Sequence, residues 1–169
     1  MNPEVLERIR AARRASQILR AGTWRIADAV DRVVLDADER YRRRIVLAAE
    51  RGTKFLLDLA DTTALRDGDG LVLDDDTIIH VVAKPEPLVE IAAAGDAEAA
   101  AALARLAWHL GNRHTELQVV GDKLRIRRDR VLEEMLLGLG ARVMPVDAPF
   151  EPERGAYRHG HGADRGLHV

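Results

Sequence analysis

The chain has 169 residues, 47% hydrophobic and 32% charged, which fits one compact domain or two small ones and excludes a disordered polymer. Its 26 basic residues nearly cancel 28 acidic ones, leaving a net charge of -2 and no field to gather nucleic acid unselectively. Cysteine is absent, which excludes disulfides, thiolate nucleophiles and every cysteine-based metal site; any transition metal must be held by histidine, carboxylate or backbone.

The first 22 residues are studded with charge and lack an apolar run of signal-peptide length. No apolar stretch elsewhere approaches the roughly 18–20 residues of a membrane span, so the expectation is a soluble, cytoplasmic chain without a membrane partner. Asn2-Pro3-Glu4 offers a helix start, followed by Val5, Leu6, Ile9 and Ala12 at helical spacing, while Ser16–Leu19 reads equally well as a first strand.

From Trp24 to Ala83 short β-type runs alternate with turn residues: 32–35, 44–48, 54–59, 71–73 and 78–82. That spacing predicts a small all-β barrel or sandwich. Lys84-Pro85-Glu86-Pro87 reads as a linker, because two prolines remove backbone donors and favour neither helix nor paired strand. A domain boundary is therefore placed there.

Beyond it, Leu88–Ala92 is a predicted strand, and Asp96 caps an alanine-rich helix with Leu103, Leu106, Ala107 and Leu110 on one face and Gly111 as its stop. Residues 116–120 and 123–126 form a hairpin about Gly121-Asp122. Asp129 caps a second helix that Gly138 and Gly140 close, and Arg142–Met144 with Val146 gives a last strand, in which Pro145 points to a sheet edge. The order βαββαβ is that of ferredoxin-like domains. The fold class is thus α+β: a β-rich domain over 1–84, a ferredoxin-like domain over 85–149 and a flexible tail over 150–169.

Several motifs invite chemistry. Asp67-Gly-Asp-Gly followed by Asp74-Asp75-Asp76 lacks the ligands of a calcium loop and reads as hairpin turns. The basic run Arg40, Arg42, Arg43, Arg44 reads as a solvated edge, with docking of an acidic partner as the alternative. His80, aligned with Ile78 and Val82, reads as a core or half-buried histidine rather than a ligand. His109 and His114 bracket a helix stop, but they have neither the spacing nor the glutamate of zinc proteases, and the partner cysteines of zinc deaminases are missing. No nucleophile or acid–base pair stands out, so the chain is not read as an enzyme. Phosphate-binding loops are absent, and the central strands lack the aromatics on which RNA bases stack. His159-Gly-His161 is the clearest chemical signal: two imidazoles in a glycine-flanked tail can converge on nickel, copper or zinc, or can simply belong to a disordered tail.

Longer strings carry a resemblance. His109-Leu-Gly-Asn-Arg-His114, Asp122-x-Leu-Arg-Ile-x-Arg-Asp129-x-Val-Leu-Glu-x-Met-Leu136 and Ala148-Pro-Phe-Glu-Pro-Glu-x-Gly-Ala-Tyr157 are similar to the UreE family of urease accessory proteins, which are nickel metallochaperones. In the N-terminal half, Leu35–Arg44, Phe55–Leu59 and Leu65–Asp69 agree with it. The resemblance implies a homodimer in which His114 from both chains holds one Ni(II) near the two-fold axis, with His159 and His161 as further ligands. It implies delivery of that ion to the urease accessory GTPase and the urease apoprotein. Arg128 and Arg130 stand where some members have peripheral metal-binding histidines, so no such site is expected, and with only His159, His161 and His168 at the end, bulk storage is not expected either. The alternatives are a generic Zn(II), Cu(II) or Ni(II) buffer, or a structural adaptor with incidental metal binding.

Overall fold

The computed structural model describes residues 13–95 and 98–154. The possible N-terminal helix, Asp96 and the three C-terminal histidines lie outside the described residues. No helix among those described is long and apolar enough to cross a membrane.

The first half is one mixed six-stranded sheet. Its strands are β1 (Arg13–Leu19), β2 (Ala29–Leu35), β3 (Arg44–Ala48), β4 (Lys54–Asp58), β5 (Gly70–Leu73) and β6 (Ile78–Ala83), in the order β2-β6-β5-β1-β4-β3. The open choice at the N-terminus resolves to a strand that starts three residues before Ser16. Alternation drives the packing: Val33, Leu35, Leu47, Phe55, Leu57, Leu71, Ile79 and Val81 point into one cluster drawn from both edges and the middle of the sheet. The sheet therefore curls. The Glu50 N–H donates to Arg32 O at 2.9 Å, and Asp31, itself buried, accepts from the N–H groups of Arg51 and Thr53 in the β3–β4 turn. Two of the pairings, β1 with β4 and β2 with β6, are parallel.

The aspartates of the Asp67–Gly70 turn act as backbone staples. Asp69, fully buried, accepts from Arg20, from the Ala21 N–H and from the Arg66 N–H, and Asp67 accepts from the Ala83 N–H. Gly70 is required by close approach, since a Cβ there would meet the Trp24 ring at 2.9 Å. His80, on the face opposite the core residues Ile79 and Val81, is half-buried edge-on to that same ring.

The second half contains β7 (Pro85–Ala92), α1 (Ala99–Gly111), β8 (Gln118–Val120), β9 (Lys123–Arg127), α2 (Arg130–Gly138) and β10 (Arg142–Pro149). Its sheet is antiparallel, in the order β10-β7-β9-β8. Val89, Ile91, Leu124 and Ile126 face the helices and pack against Leu106, Leu110 and Leu136. Pro145 sits on edge strand β10.

The linker expected at Lys84–Pro87 is corrected. Pro85, Glu86 and Pro87 pair with Pro149, Ala148 and Asp147 of β10. A strand residue directs its N and its C=O to the same side, and Pro87 O accepts from the Arg128 N–H on the β9 side. The Pro87 nitrogen therefore faces away from β10, and the missing donor costs that ladder nothing. The tail expected from residue 150 is corrected as well. Phe150 is fully buried against Ala37 and Leu88, and the described chain stays docked through Arg154.

Candidate metal site

His114 lies at the end of α1, where the helix is terminated by a particular set of hydrogen bonds. The Thr115 N–H donates to Leu110 O at 3.3 Å and the His114 N–H to Gly111 O at 3.0 Å. This is a Schellman closure, and it demands a left-handed residue at its turning point. That residue is His114, with φ 54°. Gly111, expected to be the stop, is the last helical residue and has no positive φ. At the end of α2 the same pair of bonds runs from Ala141 to Leu136 and from Gly140 to Leu137, with Gly140 at φ 80°. Left-handed backbone costs an ordinary side chain about 1–2 kcal/mol and glycine almost nothing. The first helix thus sustains a cost that the second avoids, and it does so at an exposed imidazole.

The last turns of α1 and the start of α2 both carry exposed apolar and basic side chains. Trp108, 64% exposed, stands edge-on to half-buried His109 at 5.0 Å, and Arg113 donates to His109 O. On α2, Asp129 accepts from the N–H groups of Val131 and Leu132 as a helix cap, while Arg128 and Arg130, flanking it, pair with Glu133 and Glu134. The counterpart at the start of α1, Glu98, makes no side-chain cap bond. Among the described residues no three histidine, aspartate or glutamate side chains converge as a metal cage. Among the described residues His114 therefore has no cage of its own, and His159 and His161 are outside them.

The segment that follows His114 is tied to the end of the described chain, a feature missed in the sequence. Leu117 O accepts from the Glu153 N–H at 2.7 Å, Gln118 Oε1 accepts from the Glu151 N–H at 3.2 Å, and Glu116 pairs with Arg154 at 3.6 Å. The same segment bridges the two halves. Arg40 is not a solvated edge residue: it is 4% exposed and donates to Leu65 O and, at 2.6 Å, to Phe150 O. Arg127 lies over the Phe150 ring and pairs with Asp38, Glu86 and Glu116. Burial works against the Arg127 charge, but Glu86 and Asp38 outweigh it and raise its pKa. Arg154 stacks on Tyr41 at 3.8 Å. Arg40 precedes its polar neighbours in an ordinary basic run, and nothing local marks it as the buried one.

Comparison with known proteins places these features in a family. Residues 5–84 match the model described as UreE urease accessory protein, N-terminal domain, and residues 86–169 match the corresponding C-terminal domain. The chain is 54% identical over 152 residues to the urease accessory protein UreE of Bradyrhizobium sp. (strain ORS 278), covering 88% of this chain and 70% of the relative. It is 50% identical over 155 residues to that of Beijerinckia indica, covering 92% and 86%, and 46% identical over 159 residues to that of Rhodobacter capsulatus, covering 92% and 96%.

Proposed function

The chain belongs to the UreE family of urease accessory proteins, and from that premise we propose that it carries Ni(II) to urease during assembly of the enzyme's active site. The observation that carries this reading is His114, an exposed histidine held in a left-handed turn where glycine would fit at lower cost. Strain of that kind persists where the side chain has a task. Two copies of His114, one from each chain of a homodimer, supply two neutral imidazoles to one ion, and a two-fold axis explains why a single chain presents only one. His159 or His161 completes the coordination sphere from the tail.

The second unit is read as ferredoxin-like, which its βαββαβ order and its strand order β10-β7-β9-β8 support. Exposed apolar side chains on the helix layer, among them Trp108, Val131 and Leu137, favour pairing of chains through that unit. The protein acts in the cytoplasm as an accessory chaperone rather than a catalyst, handing the ion to a GTPase-containing complex with the urease apoprotein. Labile ligation suits that task, because a ligand from the tail can be withdrawn on docking while the interface ligands stay fixed.

Calorimetric titration with Ni(II), Zn(II) and Cu(II) tests the reading. His114→Ala abolishes the tight site of one ion per dimer, and truncation after Tyr157 weakens it while leaving the dimer intact. An unchanged affinity and stoichiometry in His114→Ala would sink the proposal. A urease-activation assay with the same variants separates a carrier from an adaptor: the adaptor supports activation without His114.

A further inference from the structure

We infer that the cavity in the seam between the two halves, beside Arg40, is a binding site for a single carboxylate carried on a small apolar body. His114 is not among the residues that line it, so the site stands independently of the nickel reading.

Arg40 is a buried charge that its surroundings satisfy poorly. It is 4% exposed, and a guanidinium taken out of water needs a close counter-ion as well as hydrogen bonds. Its two well-made bonds go to neutral carbonyls, Leu65 O at 3.1 Å and Phe150 O at 2.6 Å. Its carboxylate partner among the described residues is Glu151, which stands at 3.5 Å with its side chain 42% exposed, a loose pairing for so buried a cation. Arg40 Nε has no hydrogen-bond partner among the described residues. Arg127, in the same seam, shows the contrast: Asp38, Glu86 and Glu116 all lie within 3.1 Å of its guanidinium.

The cavity that Arg40 lines has a volume of about 420 Å³, within the range of small-molecule sites. Three guanidinium groups (Arg40, Arg66 and Arg154) and two carboxylates (Glu151 and Glu153) border it, so one positive charge is left over. That surplus matches one carboxylate and disfavours a phosphate near two negative charges, which both glutamates would repel. The rest of the wall, from Ala37, Ala64, Leu65, Phe150 and Pro152, carries no charge and suits an apolar body. Arg66 is exposed, gives its backbone N–H to Asp69 and leaves its side chain without an ion pair among the described residues, so its fork can close on a carboxylate from the mouth. The incoming carboxylate takes the place of Glu151 beside Arg40, and Glu151 swings fully into the solvent that it already partly meets. Two sources carry this chemistry: a free short-chain carboxylic acid, and the C-terminal carboxylate of a chain ending in an apolar residue.

The test is calorimetric titration of the metal-free, full-length protein with hexanoate and with a short peptide ending in leucine. Each is run against its neutral counterpart, hexanamide or the C-terminally amidated peptide. The expected result is saturable binding of one carboxylate ligand per chain, with the neutral counterpart at least about tenfold weaker. Arg66→Glu should weaken binding by about tenfold or more. Glu151→Gln removes the resident carboxylate, keeps the backbone N–H given to Gln118, and should tighten binding by about threefold or more. Both variants retain Arg40 and its two carbonyl bonds, so the clamp between the halves survives in each. Tighter binding of the peptide assigns the carboxylate to a chain terminus and tighter binding of hexanoate to a free acid; either result upholds the site. Failure of both probes to saturate would overturn the inference. So would equal binding of the neutral counterparts, which would leave a merely apolar cavity, or an affinity indifferent to either variant.

Discussion

The ends of the two helices are built alike and finished differently. Both close with the same pair of backbone bonds, and both need one left-handed residue. In α2 that residue is Gly140, which adopts the conformation freely; in α1 it is His114, which does not. The sheet beneath is shared, and Leu110 and Leu136 lie in one core, so the difference does not arise from the packing of either helix. It teaches that a local departure from the cheapest residue can be read as a functional mark when an equivalent site in the same unit shows what the fold alone requires.

The largest expected effect breaks the comparison by making the two ends the same. If the proposed function holds, one substitution removes a ligand from each chain, and His114→Gly should lower Ni(II) affinity at the tight site by at least about a hundredfold. Gly140→Ala, in contrast, should leave nickel titrations unchanged. A His114→Gly dimer that bound nickel normally would reduce the left-handed histidine to an accident of sequence.

Next in size is the opposite end of each helix. Asp129 caps α2 through two backbone N–H groups, whereas Glu98 makes no such bond at the start of α1. Asp129→Ala should cost about 1 kcal/mol in urea unfolding and Glu98→Ala close to nothing. Smaller still is the stability side of the glycine–histidine contrast. Relief of left-handed strain in His114→Gly, about 1–2 kcal/mol, is offset by about 0.5–1 of added chain entropy, so a net gain of roughly 0.5–1 kcal/mol is expected. Gly140→Ala should lose a similar amount, because a Cβ there meets nothing within 4 Å and backbone strain alone decides. Equilibrium unfolding of the apo forms measures both. Gain of stability with loss of binding in one substitution is the signature of a residue kept for its chemistry.

Much of this architecture was legible along the chain because it depends on local pattern. Alternation located β3 to its exact ends and the other strands of the first half to within a few residues, and Asp129 announced its cap. What stayed hidden depends on partners remote in sequence. Pro85 and Pro87 look like a linker until their nitrogens are seen to face away from β10. Arg40 is indistinguishable from its basic neighbours, yet it alone meets Phe150, more than a hundred residues away. Phe150–Arg154 has no period of its own and is ordered by contacts remote in sequence, among them Arg40, Tyr41, Leu88, Glu116, Leu117 and Arg127. The left-handed role of His114 had one available signal. Gly111 reads as the stop, but four further residues follow before the next strand-like run, and among non-glycine residues histidine is one of the few enriched in that conformation.

The gentlest test sharpens the comparison by loosening the platform beneath both helix ends together. Glu90, on the sheet face away from the helices, accepts from Lys123 at 2.6 Å and from Arg125 at 2.8 Å, tying β7 to β9. Those hydrogen bonds, Lys123 first and Arg125 second, hold its pKa below the ordinary glutamate value against a smaller opposing push from burial. The folded-state pKa is therefore lower than the unfolded one. Its contribution to stability is complete above the unfolded value of about 4.3 and is lost as pH falls through the folded value. Unfolding free energy should decline in that acid range, and Glu90→Gln should flatten the decline by a modest amount, since the pair is partly open to solvent. The gain from His114→Gly should stay constant across the same titration, because the platform supports the glycine-ended and histidine-ended helices alike. A gain that shrank in step with protonation of Glu90 would mean that the strain at His114 is imposed by the sheet rather than by its own left-handed turn.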